Sequence, residues 1–302
     1  MVTSVNDTSL VPMLPPTARS RRLRRVFSTL TAGGLLSTYL SIIVILPVVA
    51  TVATGIGASP DTTSGSWWPG NWVWHSNFSG FIDAISVPAA WHAIWLSVWL
   101  SLLAASVNTV MGTLIAWVLV RDRFRGQKFI ESFVDIPFAL PTIVAGVVFI
   151  YLYGPASPVH VNLFEAWTGL FVALLFVSLP FSVRAVQPVL TAMDRDVEHA
   201  ARTLGASPWR VTRSVIIPSL VSPALAGFGL AFARCVGEFG SISLIGGGIA
   251  KTTTASTYIY NLTQGFLWQG AAAVSTVLLV ISVTVLTGAT WFAASFHDRR
   301  SL

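Results

Sequence analysis

The chain has 302 residues, of which 54% are hydrophobic and only 10% charged, where a soluble domain carries about 25% charged residues. That balance excludes a water-soluble globule, which could not cover its surface. The net charge of +6 does not mark a nucleic-acid binder, because the basic residues flank apolar runs instead of forming a patch with exposed aromatics on a soluble fold.

A helical membrane crossing needs about 20 mostly apolar residues, and six runs satisfy this, at 35–56, 91–120, 133–153, 167–188, 219–245 and 271–296. The fold class expected is therefore an all-α integral membrane protein of six transmembrane helices. A basic tail, 1–34, precedes the first span, 35–56. An outside loop rich in Trp, Ser and Gly, 57–90, leads to a core of five spans, 91–296, and a short tail, 297–302. The second run exceeds one crossing, and its Trp91, His92, Trp95 and Trp99 suit the headgroup layer. The run at 35–56 is longer than the 7 to 15 residues of a signal-peptide core, which favours a retained span.

Orientation follows from the basic residues. Arg19, Arg21, Arg22, Arg24 and Arg25 precede span one; Arg121, Arg123, Arg125 and Lys128 lie between spans two and three. Arg184, Arg195, Arg202, Arg210 and Arg213 accompany the connection between spans four and five, and Arg299 and Arg300 follow span six. If the spans alternate, 16 of the 18 basic residues fall on one side, and Lys and Arg are held on the cytoplasmic side. Both termini are then cytoplasmic. The two exceptions are Arg234, inside span five, and Lys251, in the loop after it.

The connection between spans four and five, 190–220, reads as two short helices around a tight turn. Asp194 or Asp196 caps the first helix, Gly205 supplies the left-handed residue that ends it, and Ser207-Pro208 starts the second. The second helix is expected to stop before Pro218, with Trp209, Val211, Val215 and Ile216 forming one apolar face against the bundle, interrupted by Thr212. Arg210 and Arg213 fall on the wet side.

In this segment Ala200-Ala201, three residues, Gly205, nine residues, Val215, one residue and Ile217-Pro218 follow in order. The pattern resembles the EAA loop of ABC importer permeases. That resemblance implies the type I ABC importer permease fold, with a cytoplasmic coupling helix that sits in a groove of a separate ATPase. The ATPase-coupling residues it implies are Glu198, His199, Ala200, Ala201, Gly205, Ala206, Trp209 and Pro218. The chain departs from the pattern at one place: His199 stands where the family has Glu. Its neighbour Glu198 is the candidate substitute, but it points about 100° around the helix from His199, which leaves open the ion pair that the resemblance implies at that position.

Three further stretches, 119–126 (LVRDRFRG), 134–142 (VDIPFALPT) and 179–188 (LPFSVRAVQP), resemble the sulfate/thiosulfate branch of these permeases and its T-type subunit. A fourth, 232–241 (FARCVGEFGS), is shared with the molybdate/tungstate branch. The resemblance covers about 91–296. It implies a subunit of an ATP-driven sulfate or thiosulfate importer in the bacterial inner membrane, with molybdate or tungstate as the alternative cargo. The implied partners are a second, W-type permease, two cytoplasmic ATPase subunits and an extracytoplasmic sulfate-binding protein, beside membrane lipid. ATP and Mg would be used by the partner ATPase, and no cofactor by this chain.

The residues give pathway candidates independently. Arg234 and Glu238 are four apart, so they share a helical face and pair, as intramembrane charges do; the same pair could instead line the pathway or its gate. Pro137 and Pro141 interrupt hydrogen bonding in span three and free backbone groups near Thr142, either as a packing kink or as donors to an anion. Ser241 completes this set. Asp135 is expected as a helix-end charge. The run 246–252 (GGGIAKT) is no phosphate-binding loop, because Ile245 and Ala250 stand where G-x4-G-K-T needs glycine. Cys235 has no partner for a disulfide, and the five histidines lack metal-ligand spacing. A self-sufficient secondary transporter would need ion-coupling residues and an internal repeat, and a membrane enzyme a catalytic constellation; neither is evident.

Overall fold

The computed structural model describes residues 34–60, 72–74, 78–122 and 124–298. The basic N-terminal tail, much of the Trp-rich loop, Arg123 and the end of the C-terminal tail lie outside the described residues. The chain divides into two compact units, 1–50 and 51–302. Helix α1, Gly34–Gly55, begins in the first and carries a π turn at Ser41–Ile45.

The second unit opens with a two-stranded antiparallel ribbon, β1 (Ala58–Pro60) with β2 (Trp72–Trp74), in which Ala58 faces Trp74. It is the one strand pair among the described residues, in a segment expected to be plain loop. Helix α2 (Phe78–Ser86) and α3 (Pro88–Arg121) follow. Pro88 sits at the first position of α3, where its missing N–H costs nothing. The 34 residues of α3 extend about 51 Å at 1.5 Å per residue, well beyond the hydrocarbon layer.

The expected third span is broken. Helices α4 (Gln127–Ala139) and α5 (Thr142–Tyr153) meet at a bend of 111°. Leu140 precedes Pro141 and is extended, φ −87°, ψ 124°, because the proline ring disfavours helical geometry in the residue before it. Pro137, by contrast, is accommodated inside α4. Helix α6 (Trp167–Ala192) is the fourth expected span, and α7 (Arg195–Thr203) lies in the connection after it.

The fifth span differs at both ends from the expected 219–245. Helix α8 runs unbroken over Pro208–Val236, so the short second helix of the connection does not stop before Pro218. A π turn at Thr212–Ile216, in which the Ile217 N–H reaches the Thr212 carbonyl, opens the helix just before the proline, whose ring would otherwise crowd a carbonyl four residues back. At its far end α8 stops at Val236, and residues once counted in the span form a separate helix, α9 (Gly240–Ile245). Helices α10 (Ala255–Gln264) and α11 (Trp268–Asp298) complete the chain. Helices α1, α3, α6, α8 and α11 are long and apolar enough to cross a membrane, and the bent pair α4 and α5 passes the same test only when the two are taken together.

Helices α3, α6 and α8 touch one another, α11 packs on α8, and α9 packs on α5. The α3–α6–α8 crossing is built on small residues. A Cβ on Gly112 would lie 2.7 Å from Ser182 Cβ, and one on Gly227 would lie 3.2 Å from Ser182 Cα. Beside this crossing Asn108, 3% exposed, donates to the Leu175 carbonyl and to Ser178 Oγ, both at 2.8 Å. Gly112→Val therefore forces α3 away from α6. It should destabilise the fold by about 1–3 kcal/mol, read as a lowered unfolding temperature of the detergent-purified chain.

Candidate functional site

The connection after α6 is built by local capping. Asp194 Oδ1 accepts from the Asp196 N–H at 2.9 Å, and Asp196 and Glu198 lie in the first turn of α7, where the helix dipole favours negative charge. At the other end the Ala206 N–H returns to the Ala201 carbonyl at 3.1 Å and the Gly205 N–H to the Arg202 carbonyl at 2.9 Å. Gly205 has φ +82°, the left-handed geometry that closes a helix in this way. Ser207 Oγ then accepts from the Arg210 N–H at 3.3 Å and Pro208 opens α8. Nothing lies within 4 Å of a Cβ built on Gly205, so a side chain there meets strain without a clash. Gly205→Val should cost about 1–2 kcal/mol of local stability, seen as roughly 5–30-fold faster amide exchange at 204–206.

The faces of this segment divide sharply. Val211, Ile216 and Leu220 are buried with Ala116, Leu119, Val183, Val186 and Leu190 of the bundle, and Val215, Ala201 and Ala206 pack partly against them. Trp209, expected on the same face, is 67% exposed, and Leu204 is 88% exposed. Trp209 and Val211 both precede the π turn and lie about 200° apart around regular helix, so burial of Val211 turns Trp209 outward; the π turn adds the residue that brings Ile216 onto the face of Val211. His199, Ala200 and Arg202 are exposed as well, and Pro218 is half-buried. The result is a surface knob of Leu204 and Trp209 with basic neighbours Arg202 and Arg210.

Glu198 behaves differently. It is 7% exposed and its Oε1 lies 2.5 Å from Nη2 of Arg121, the last residue of α3. Arg121 in turn lies 5.9 Å over the Trp117 ring and directs Nη2 at Met193 Sδ, 3.3 Å away. A cleft of about 220 Å³ opens above the pair, lined by Trp117, Arg121, Glu198, His199 and Arg202 among others. Removing one partner of a buried ion pair costs about 3–5 kcal/mol. In the sequence Arg121 is one more charge at the end of a long apolar run, and nothing there points to a partner 77 residues on.

The pathway candidates assemble at the junction of α5, α8 and α9. Arg234 Nη1 reaches Glu238 Oε2 at 2.7 Å, as their spacing predicts. Glu238 is 1% exposed, and its Oε1 accepts from both the N–H and Oγ of Ser241, in the first turn of α9, at 2.9 Å. Gly240 is pressed onto the first turn of α5: a Cβ there would stand 2.3 Å from Thr142 Oγ1 and 2.9 Å from the Ile143 nitrogen. Pro141, Thr142, Arg234, Glu238 and Ser241 are thus brought together, whereas Pro137 lies across the bend in α4. Cys235 Sγ lies 3.8 Å from the Leu174 carbonyl, seven residues into α6, so the junction sits about 10 Å below the start of that helix.

Asp135 is not a simple helix-end charge. It and Glu131, one turn apart on α4, bind Arg184 of α6: Arg184 Nε donates to Asp135 Oδ1 at 3.0 Å, Nη2 to Asp135 Oδ2, and Nη1 to Glu131 Oε1 at 3.3 Å. Gln187 completes the set, its Nε2 donating to Glu131 Oε1 at 2.8 Å and its Oε1 accepting from Arg184 Nη1 at 2.6 Å. This network fastens the lower half of the broken span to α6.

Residues 108–300 match the family model described as binding-protein-dependent transport system inner membrane component. The chain belongs to this family. Its relatives include a protein of Nephroselmis olivacea named a probable sulfate transport system permease protein cysT, 40% identical over 225 residues, covering 72% of this chain and 79% of that one. Sulfate transport system permease protein CysT of Escherichia coli strain K12 is 35% identical over 231 residues, covering 74% and 83%. Among solved structures, a bacterial alginate ABC transporter in complex with its pentasaccharide-bound periplasmic protein matches with TM-score 0.68 at 15% identity, over 89% of this chain and 94% of that one. The MetNI methionine ABC transporter in inward-facing form matches with TM-score 0.56 at 19% identity, over 70% and 99%. These structures establish the type I importer permease fold, and the family makes the chain a multi-pass membrane permease subunit.

Proposed function

We propose that this permease subunit serves an ATP-driven importer of sulfate or thiosulfate, moving the anion by alternating access. The observation that carries the coupling half of this reading is the capped segment after α6, with Leu204 and Trp209 held out of the bundle. An exposed apolar knob at the start of α8 suits the groove of a separate ATPase subunit, which would use the ATP and Mg. The cargo half rests on the relatives' names and on the similarity of residues 119–126, 134–142 and 179–188 to the sulfate branch.

The geometry supplies a lever. Trp209 and Arg234 lie on one continuous helix, α8, about 38 Å apart at 1.5 Å per residue. Movement of the docked knob is thereby delivered to the junction where Arg234, Glu238 and Ser241 meet Thr142. The carboxylate of Glu238 is fully engaged by Arg234 and Ser241, so it presents little repulsion to an anion, while Arg234 retains further N–H donors. The distribution of basic residues supports both termini and the knob lying on the cytoplasmic side of the bacterial inner membrane. A second, W-type permease, two ATPase subunits and an extracytoplasmic sulfate-binding protein complete the importer.

The test is ATPase activity of the reconstituted complex with the binding protein loaded by sulfate or by molybdate. Stimulation by sulfate is expected; stimulation by molybdate alone would move the cargo to the molybdate/tungstate branch, and failure of any ATPase to associate would favour a secondary transporter. Within the same assay Trp209→Glu should weaken ATPase association by roughly 30-fold, as loss of an aromatic anchor worth about 2 kcal/mol does, measured by titration of the ATPase onto the permease in nanodiscs.

A further inference from the structure

Helix α7 has little apolar grip on the bundle. Of its side chains described, Asp196, Val197, His199, Ala200, Arg202 and Thr203 are exposed, Ala201 is half-buried, and Glu198 alone is buried. What Glu198 meets is Arg121, at 2.5 Å. Arg121 is itself fixed from two further sides, by the Trp117 ring face one turn earlier on α3 and by Met193 just ahead of α7. Side chains of both ionic partners are 10% exposed, so the contact is screened far less than a surface pair.

We infer that the Arg121–Glu198 pair is the strap that makes α3 follow α7 when the partner ATPase moves the connection, with Arg121 acting as a positioning residue for transport. The inference rests on the permease reading above and adds a second route to it. Helix α8 is joined to the knob covalently through the Gly205 turn, and delivers motion to the Arg234 junction. Helix α3 has no covalent link to that segment: α4, α5 and α6 intervene in the chain. The ion pair closes the gap. It ties the end of α3 to the helix immediately before the knob, so α3 and α8, which also pack together, are pulled from the same place. A charge pair suits this work because a buried contact between opposite charges resists separation and so carries displacement from one packed element to the next. An apolar contact of two alanines would slide.

The experiment uses the reconstituted complex with the double variant Arg121→Gln with Glu198→Gln, which leaves no buried unpaired charge, and the exchanged pair Arg121→Glu with Glu198→Arg. ATP hydrolysed per anion transported should rise about tenfold in the double Gln variant, within the range of about 5–150-fold typical of coupling between sites, and return toward the original ratio in the exchanged pair. In the purified chain without ATPase, amide exchange over 196–204 should accelerate in the double Gln variant and slow again in the exchanged pair. An unchanged transport ratio in the double Gln variant, or unchanged exchange over 196–204, overturns the inference, as does an exchanged pair that restores neither. A wild-type complex with no ATPase response to its loaded binding protein would overturn the functional reading instead, while the exchange measurement still decides the strap.

Discussion

Hydrocarbon tails are as apolar as leucine, so helices in a membrane gain little by hiding from lipid and must be held by close contact and internal hydrogen bonds. In this chain that constraint falls on Ser182. Gly112 of α3 and Gly227 of α8 both approach it so closely that a methyl group on either would crowd its backbone or side chain, and Asn108 bonds across the same interface. The three-helix crossing fixes the positions of α3, α6 and α8. The lower ends of these helices then hold the connection that follows α6, and the upper end of α8 carries Arg234.

Around this fixed crossing the irregular backbone is confined to places where its polar groups are engaged. The break after Ala139 places the first turn of α5 against Gly240, and the break after Val236 is stitched by the Glu238 carboxylate, which takes two hydrogen bonds from Ser241 while neutralising Arg234. Non-helical backbone at membrane depth survives only where protein or a water-lined cavity receives it. The two interruptions meet each other, so each provides part of the other's packing. Below the first of them, Arg184 grips Asp135 and Glu131, which keeps α4 from swinging freely about its own hinge.

Much of this was written locally in the sequence. Apolar run lengths marked the spans, and Asp194, Gly205, Ser207 and Pro208 marked the caps, because each acts on backbone groups only a few residues away. The i,i+4 relation of Arg234 and Glu238 was legible for the same reason. What escaped were features set by phase or by distance along the chain. Hydrophobicity continues through Glu238 into α9, so composition could not show that the fifth span ends at Val236. A π turn leaves no signature in an apolar pattern, and here it aligns Ile216 with Val211, while Trp209, two residues before Val211, faces outward. The partners of Arg121 and Asp135 lie on other helices, and nothing in either residue's neighbourhood names them.

The outward position of Leu204 and Trp209 also bears on how the cell must make this protein. Large apolar side chains held in water by a rigid turn are surfaces that chaperones and proteases read as unfinished. If a separate ATPase covers them, as proposed, a subunit made ahead of that partner carries the mark until then, and its steady abundance would follow the supply of the partner rather than its own rate of translation. On that reading, matched production of the two chains is a requirement imposed by two side chains.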